Sequence, residues 1–197
     1  MDTPTLFESS GHYGRELVAA EVPQLQALFD DNPEYSVAVN GRRPLANEAQ
    51  LEFDERPPAE FGYTRRWFIG LFDPAHTLVG HAGVISDLLA ERVWHIGLFI
   101  VATRLHGQGA AQGLYAALEH WIRSAGADWL RLGVVDGNAR AERFWERNGY
   151  VQVRVRGGYD TGGRINDVRV LVKALGDEPL EAYLARVPRD RPDSVLP

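Results

Sequence analysis

Gly107, Gly109, Ala110 and Ala111 stand between an apolar run ending at Val101 and a segment whose apolar residues Ala110, Leu114, Ala117, Leu118, Trp121 and Ile122 recur at helical spacing. Small residues at a strand-to-helix turn let backbone N–H groups approach a ligand, and the helix aims the positive end of its dipole at the same point. The chemistry this suits is main-chain binding of a phosphate or diphosphate, with His106, Gly107, Gln108, Gly109, Ala110, Ala111 and Gln112 as the cradle. Two common phosphate loops do not fit. A Walker loop ends in Gly-Lys-Ser/Thr, but Gly109 is followed by alanines, and the dinucleotide fingerprint wants a third glycine where Gln112 stands.

Further along, Asn138 is a good helix N-cap and Gly149 a good helix stop, with Ala141, Phe144 and Trp145 as the apolar face between them. The two stretches, in this order, resemble the acetyl-CoA signatures of the GNAT superfamily of N-acyltransferases: Gln/Arg-x-x-Gly-x-Gly/Ala after a strand ending in valine, then Asn-x-x-Ala-x-x-Phe/Leu-Tyr-x-x-x-Gly-Phe. Two registers fit the first signature. Arg104, Gly107 and Gly109 match the letters, whereas His106, Gly109 and Ala111 also bring Val101 and Leu114 into place, and the second register is preferred. The likeness is good over residues 66 to 174 and holds in outline before that.

The resemblance implies an enzyme that moves an acetyl group from acetyl-CoA directly to a primary amine of a small molecule or peptide. It leaves open a non-catalytic acyl-CoA-binding regulatory domain, another acyl group, or an oxygen acceptor. It implies that Phe99, Ile100 and Val101 run beside the pantetheine, that a free strand N–H near Ile100 to Val101 steadies the oxyanion, and that Asn138, Ala141 and Trp145 flank the cofactor. His95 takes the strand position where many members carry a glutamate, which makes its imidazole a candidate general base. A base is needed because an amine of pKa ~10.4 is protonated at neutral pH, and freeing its lone pair costs about 4 to 5 kcal/mol. Asp87, Glu91, Glu52 and Asp54 are rival acids. Trp145 replaces a tyrosine that in many members protonates the departing thiolate, so that role passes to Tyr150 or water.

These groups need a scaffold, and the β-rich runs Trp67 to Phe72, His76 to Ser86 and Arg92 to Val101, linked by turns at Asp73-Pro74 and Leu88 to Glu91, predict an antiparallel meander. Alternation along the last strand sets His95, Gly97, Phe99 and Val101 on one face and Trp94, Ile96, Leu98 and Ile100 on the other, with Gly97 able to form a bulge. A first strand near residues 15–19, a helix opened by Pro23, a short helix at 46–53, strands at 129–135, 151–156 and 165–172, and a short helix in the tail complete the reading. The fold class is mixed α/β (α+β): a central, mostly antiparallel twisted sheet, GNAT-like, splayed between its fourth and fifth strands (92–101 and 129–135) and flanked by helices. Residues 1–175 form one domain, in which 31–65 walls the acceptor side, and 176–197 form a helix and proline-rich tail that is either a dimer contact or disordered.

The chain has 197 residues, a formal charge of −6 and no cysteine. Disulfides, thiolate metal sites and a cysteine-bound acyl group are excluded, so transfer is direct. The negative balance and scattered arginines argue against nucleic acid and mildly favour a cationic acceptor. No apolar run approaches the ~20 residues of a membrane span, and the start does not read as a signal peptide, so a cytoplasmic location is expected. The six histidines lack metal-ligand spacing, so no metal is expected. An exposed sheet edge or the stretch from Leu180 to Leu184 offers a homodimer contact.

Overall fold

The computed structural model describes residues 3–196. A hairpin of β1 (Thr5–Ser9) and β2 (His12–Glu16) leads through a 3-10 turn into α1 (Val22–Asp31), which carries Pro23 in its first turn and buries Leu25, Leu28 and Phe29. Two short helices follow, α2 (Glu34–Asn40) and α3 (Glu48–Asp54). The meander is β3 (Arg65–Phe72), β4 (Leu78–Ser86) and β5 (Val93–Val101). Beyond it lie α4 (Ala110–Ser124), β6 (Trp129–Val135), α5 (Ala139–Arg147), the hairpin β7 (Val151–Asp160) and β8 (Ile165–Ala174), and α6 (Leu180–Arg186).

The eight strands form one sheet in the order β1-β2-β3-β4-β5-β6-β8-β7, antiparallel at each ladder except β5–β6. The parallel pairing of β5 with β6 runs only from Val93↔Trp129 to Ile96↔Leu132. Beyond it the two strands part while β5 stays bonded to β4 and β6 to β8, which is the splay expected between residues 92–101 and 129–135. The first strand lies at residues 12–16, not 15–19, and β1 was not foreseen, because its five residues carry too few apolar positions to mark a strand.

Helices α4 and α5 cover one face through Leu114, Leu118, Ile122 and Trp145; α1 and α3 cover the other through Leu25, Leu28 and Ala49. Gly83 pairs with Leu98 and Val84 with Ile96, so Gly97 is an extra residue in β5. The bulge reverses the alternation beyond it. Trp94 and Ile96 share the α4 face with Phe99 and Val101, while Leu98 and Ile100 pack on the α1 side. The simple alternation that put His95 beside Phe99 is therefore corrected: His95 opens onto the opposite face.

The tail is folded onto the sheet through one face of α6. Tyr183 and Val187 pack with Val93, Trp129, Val170 and Val172, with Leu180 and Leu184 laid against them. Asp190, in the 3-10 turn Pro188–Asp190, is fully buried.

Candidate active site

A cleft of about 650 Å³ opens where β5 and β6 part. Its walls are Phe99, Ile100 and Val101 of β5, the turn at His106, Gly107, Gly109, Ala111 and Gln112, and Asn138, Ala141, Phe144 and Trp145 of α5. Gly107 and Gly109 hold φ of +76° and +81°, which side chains rarely adopt, and a Cβ at either would meet no atom within 4 Å. The first helical bond of α4 is donated by Gly113 to Gly109, and among the described residues none accepts a backbone hydrogen bond from the N–H groups of residues 107–112. Unbonded amides over open space at a helix start fit the diphosphate of a coenzyme. Gln108 and Ala110 do not line the wall by side chain, and the Gln108 amide instead donates to the Arg104 carbonyl at 2.7 Å.

His106 belongs to this turn for a reason the signature did not supply. Its Nε2 lies 2.9 Å from the Val101 carbonyl, tying the turn to the end of β5. The Ala102 N–H bonds the Val79 carbonyl at 2.7 Å, so strand alternation turns the N–H of Ile100 toward β4 and those of Phe99 and Val101 into the gap. Of the N–H groups from Phe99 to Val101, that of Ile100 is thereby turned away and those of Phe99 and Val101 face the gap. Asn138 caps α5 by accepting from the Ala141 N–H at 3.3 Å. Trp145 both lines the cleft and fills the core against Tyr115, at 5.2 Å between ring centres. Tyr150 lies behind it, buried, within 3.1 Å of the Tyr115 hydroxyl and outside the cleft wall. Burial drives its pKa up, which suits a core hydroxyl better than a proton donor.

A second cavity, of about 310 Å³, lies on the other side of β5. Gly83 of β4, His95 and Gly97 of β5 and Arg131 of β6 line it together with Glu52 and Glu55, and Arg189 lies over the Phe61 ring, 4.1 Å from its guanidinium carbon to the ring centre. His95 thus reaches a cavity that touches the same strand as the coenzyme cleft, but its chemistry differs from that of a base. Arg131 Nη1 sits 3.4 Å from His95 Nδ1, and since a guanidinium can only donate, the ring proton is on Nε2. Burial, reinforced by the Arg131 charge, pushes the His95 pKa down to about 3. Arg131 is held in turn by Asp190, at 2.7 and 3.1 Å, and Asp190 also accepts from the Tyr183 hydroxyl at 2.6 Å.

Of the rival acids, Glu52 lines this cavity whereas Asp54, Asp87 and Glu91 do not. Burial pushes Glu52 up, but His81, 3.8 Å away, and Arg66 together hold it below the usual carboxylate range. Glu55, which the sequence did not single out, is pushed up by burial and by the Glu52 charge. Arg131 and Arg189 were also missed. Arg131 left a readable trace, a charge inside an otherwise apolar strand. The α2 side of the coenzyme cleft went unread as well: the Asn32 carboxamide accepts the Thr103 N–H at 2.6 Å and Glu34 accepts the Thr103 hydroxyl at 3.0 Å.

The sequence model described as the acetyltransferase (GNAT) family matches residues 25–150. A search of curated proteins by sequence gives no match. Among solved structures, the chain is similar to an acetyltransferase from Thermus thermophilus, with 20% identity over 83% of this chain and 97% of that one and a TM-score of 0.63. It is also similar to spermidine N-acetyltransferase from Vibrio cholerae in complex with CoA and spermine, at 16% identity, 84% and 96% coverage and a TM-score of 0.65. The ribosomal-protein-S18-alanine N-acetyltransferase from Escherichia coli follows at 15%, 85% and 96%, with a TM-score of 0.62. At these identities the likeness is one of fold.

Proposed function

This chain belongs to the acetyltransferase (GNAT) family of acyl-CoA-dependent N-acetyltransferases, and from that premise we propose that it transfers an acetyl group from acetyl-CoA to the primary amine of a small acceptor seated in the cavity over Gly97. The observation that carries this reading is the run of unbonded amides at residues 107–112 beside the opened β5–β6 gap. Bound acetyl-CoA supplies an activated acyl group, whose C–S bond breaks as the amine nitrogen bonds to the acyl carbon and sulfur leaves with the electron pair.

The residues divide the remaining work. The amides of 107–112 hold the diphosphate, Asn138 fixes the start of α5 beside it, and the N–H of Val101 or Phe99 faces the acyl oxygen. Such a donor, aimed where charge develops, is worth ~3 to 4 kcal/mol in enzymes where it has been removed. Glu55, with its raised pKa, takes the proton of the incoming ammonium, and Glu52 holds that ammonium in place. His95 stays neutral and offers its Nε2–H to the acceptor, a donor in place of the base first expected. The pairing of β5 with β6 ends at Ile96, and through the gap beyond it the amine reaches the thioester from the opposite face.

A thiol-release assay with acetyl-CoA and a panel of amines tests this. Turnover is expected to depend on the amine, and Glu55→Gln is expected to lower kcat/KM by roughly 10²-fold or more with the Kd for acetyl-CoA unchanged. Amine-independent thiol release, or no binding of acetyl-CoA at millimolar concentration, would refute the reading.

A further inference from the structure

One buried imidazole lacks a hydrogen bond. His81 of β4 is fully enclosed, and among the described residues neither of its ring nitrogens finds a hydrogen-bond partner. Two aromatic rings stand against it, Phe68 at 4.2 Å and Phe29 at 6.5 Å between ring centres. A leucine or phenylalanine would fill the same space with no polar group to desolvate, whereas a buried imidazole without hydrogen bonds weakens the fold. Keeping an imidazole there calls for a use outside packing.

The use is indicated by Glu52 of α3. Its Oε1 lies 3.8 Å from His81 Nε2 and 3.8 Å from Arg66 Nη2, so the carboxylate stands between two donors, about an ångström too far from each for a hydrogen bond. The two donors differ. Arg66 is already committed to main chain, with Nη2 donating to the Glu52 carbonyl and Nη1 to the Phe53 carbonyl, so it fastens the end of α3. His81 has both nitrogens unspent. Gly83, two residues along β4 and on the same face, lines the acceptor cavity, and a Cβ built on it would meet Glu52 Oε1 at 3.5 Å and His81 Nε2 at 3.9 Å. The imidazole, the carboxylate and the cavity wall thus converge on one glycine. Glu52 lines the cavity and His81 does not, so whatever His81 does there it does through Glu52.

We propose that His81 is a positioning residue for the acceptor amine: when an ammonium group enters, the Glu52 side chain closes the missing distance, accepts the His81 Nε2–H and is held, ionised, against the amine. This rests on the acyl-transfer reading above and adds to it the group that aims Glu52. Hydrogen bonds to a carboxylate are stronger than those between neutral groups, so a buried donor can fix its direction. The groups facing Glu52 are His81 of β4, Arg66 of β3, Glu55 at the C-terminal end of α3 and Tyr35 of α2. Burial pushes the Glu52 carboxyl up, while His81 first and Arg66 after it hold it down, so removing His81 leaves burial less opposed.

The test is thiol release with acetyl-CoA and a panel of 2-phenylethylamine, ethanolamine, spermidine and L-methionine amide, the amine turned over fastest then serving as probe. His81→Leu is expected to raise KM for that amine roughly tenfold or more while KM for acetyl-CoA stays within about twofold, and His81→Gln, whose amide nitrogen takes the place of Nε2, to restore part of the loss. The acid limb of kcat/KM for the amine is expected to move up by about one pH unit in His81→Leu and by less in His81→Gln. A second measurement needs neither an acceptor nor a His81 variant. In nitrogen-15 NMR of histidine-labelled protein, Glu52→Gln is expected to shift the His81 ring signals, identified through their contacts with Phe68 and Phe29, and to leave those of His106 in place. His81→Leu matching the parent in KM and pH profile, or His81 signals unmoved by Glu52→Gln, would overturn the inference while leaving acyl transfer to amines intact. No turnover of any amine by the parent would bring down both.

Discussion

Replacing Asp190 with asparagine removes one negative charge and almost no volume from the place where the tail meets β6. Arg131, only 9% exposed and bonded to both Asp190 oxygens at 2.7 and 3.1 Å, would keep its charge and lose its counterion. Stranding one member of a buried pair costs about 3 to 5 kcal/mol, far more than the intact pair contributes over an apolar substitute. For a chain of this size each kcal/mol shifts Tm by about 2 to 4 °C, so Asp190→Asn should melt about 6 to 20 °C below the parent. Differential scanning calorimetry at neutral pH reads this directly. The double variant Arg131→Met with Asp190→Leu, which leaves no charge stranded, should regain most of the loss. A fall of less than about 2 °C for Asp190→Asn, or a double variant no better than the single one, would refute the argument.

Two further outcomes follow from the same geometry. Gly109→Val places a side chain at φ +81°, where nothing of the protein lies within 4 Å; backbone strain of about 1 to 3 kcal/mol should lower Tm moderately, while CoA affinity measured by titration calorimetry drops at least tenfold, and an unchanged Kd would remove the cradle from the account. His95, pushed from 6.5 down to about 3, is neutral when folded and gains a proton below about 6.5 when unfolded. Its contribution to stability is therefore present above that pH and is lost as pH falls toward 3, by up to ~1.4 kcal/mol per pH unit. Imidazole NMR should find His95 neutral down to pH about 4.5, and a midpoint near 6.5 would contradict the Arg131 contact.

The sheet and the coenzyme side were legible because their signals are local. Apolar and aromatic runs broken by turn residues mark the strands from Trp67 to Val101, Leu114, Leu118 and Ile122 recur at helical spacing, and Asn138 sits where a cap must. The acceptor side was not legible in the same way. One surplus residue at Gly97, which the sequence marked as able to bulge, reverses which face Phe99 occupies, and the simple alternation from Trp94 to Val101 did not carry that consequence through. The Arg131–Asp190 pair joins positions 59 apart in sequence, beyond the reach of any periodic pattern. Helix α2 is short and follows Pro33, so its residues looked like loop. Tyr150 looked available as a donor because its letter matched, and only packing reveals the hydroxyl turned inward to Tyr115.

The buried anchorage of residues 183–190 sets an order of completion. Every wall of the coenzyme cleft is drawn from residues 32–147, whereas the acceptor cavity borrows Arg189 from a segment reached only after the last strand. During synthesis the half that captures the coenzyme has all its parts well before the half that chooses the amine. A chain interrupted after residue 175 would hold every lining residue of the former and leave the latter open where Arg189 belongs.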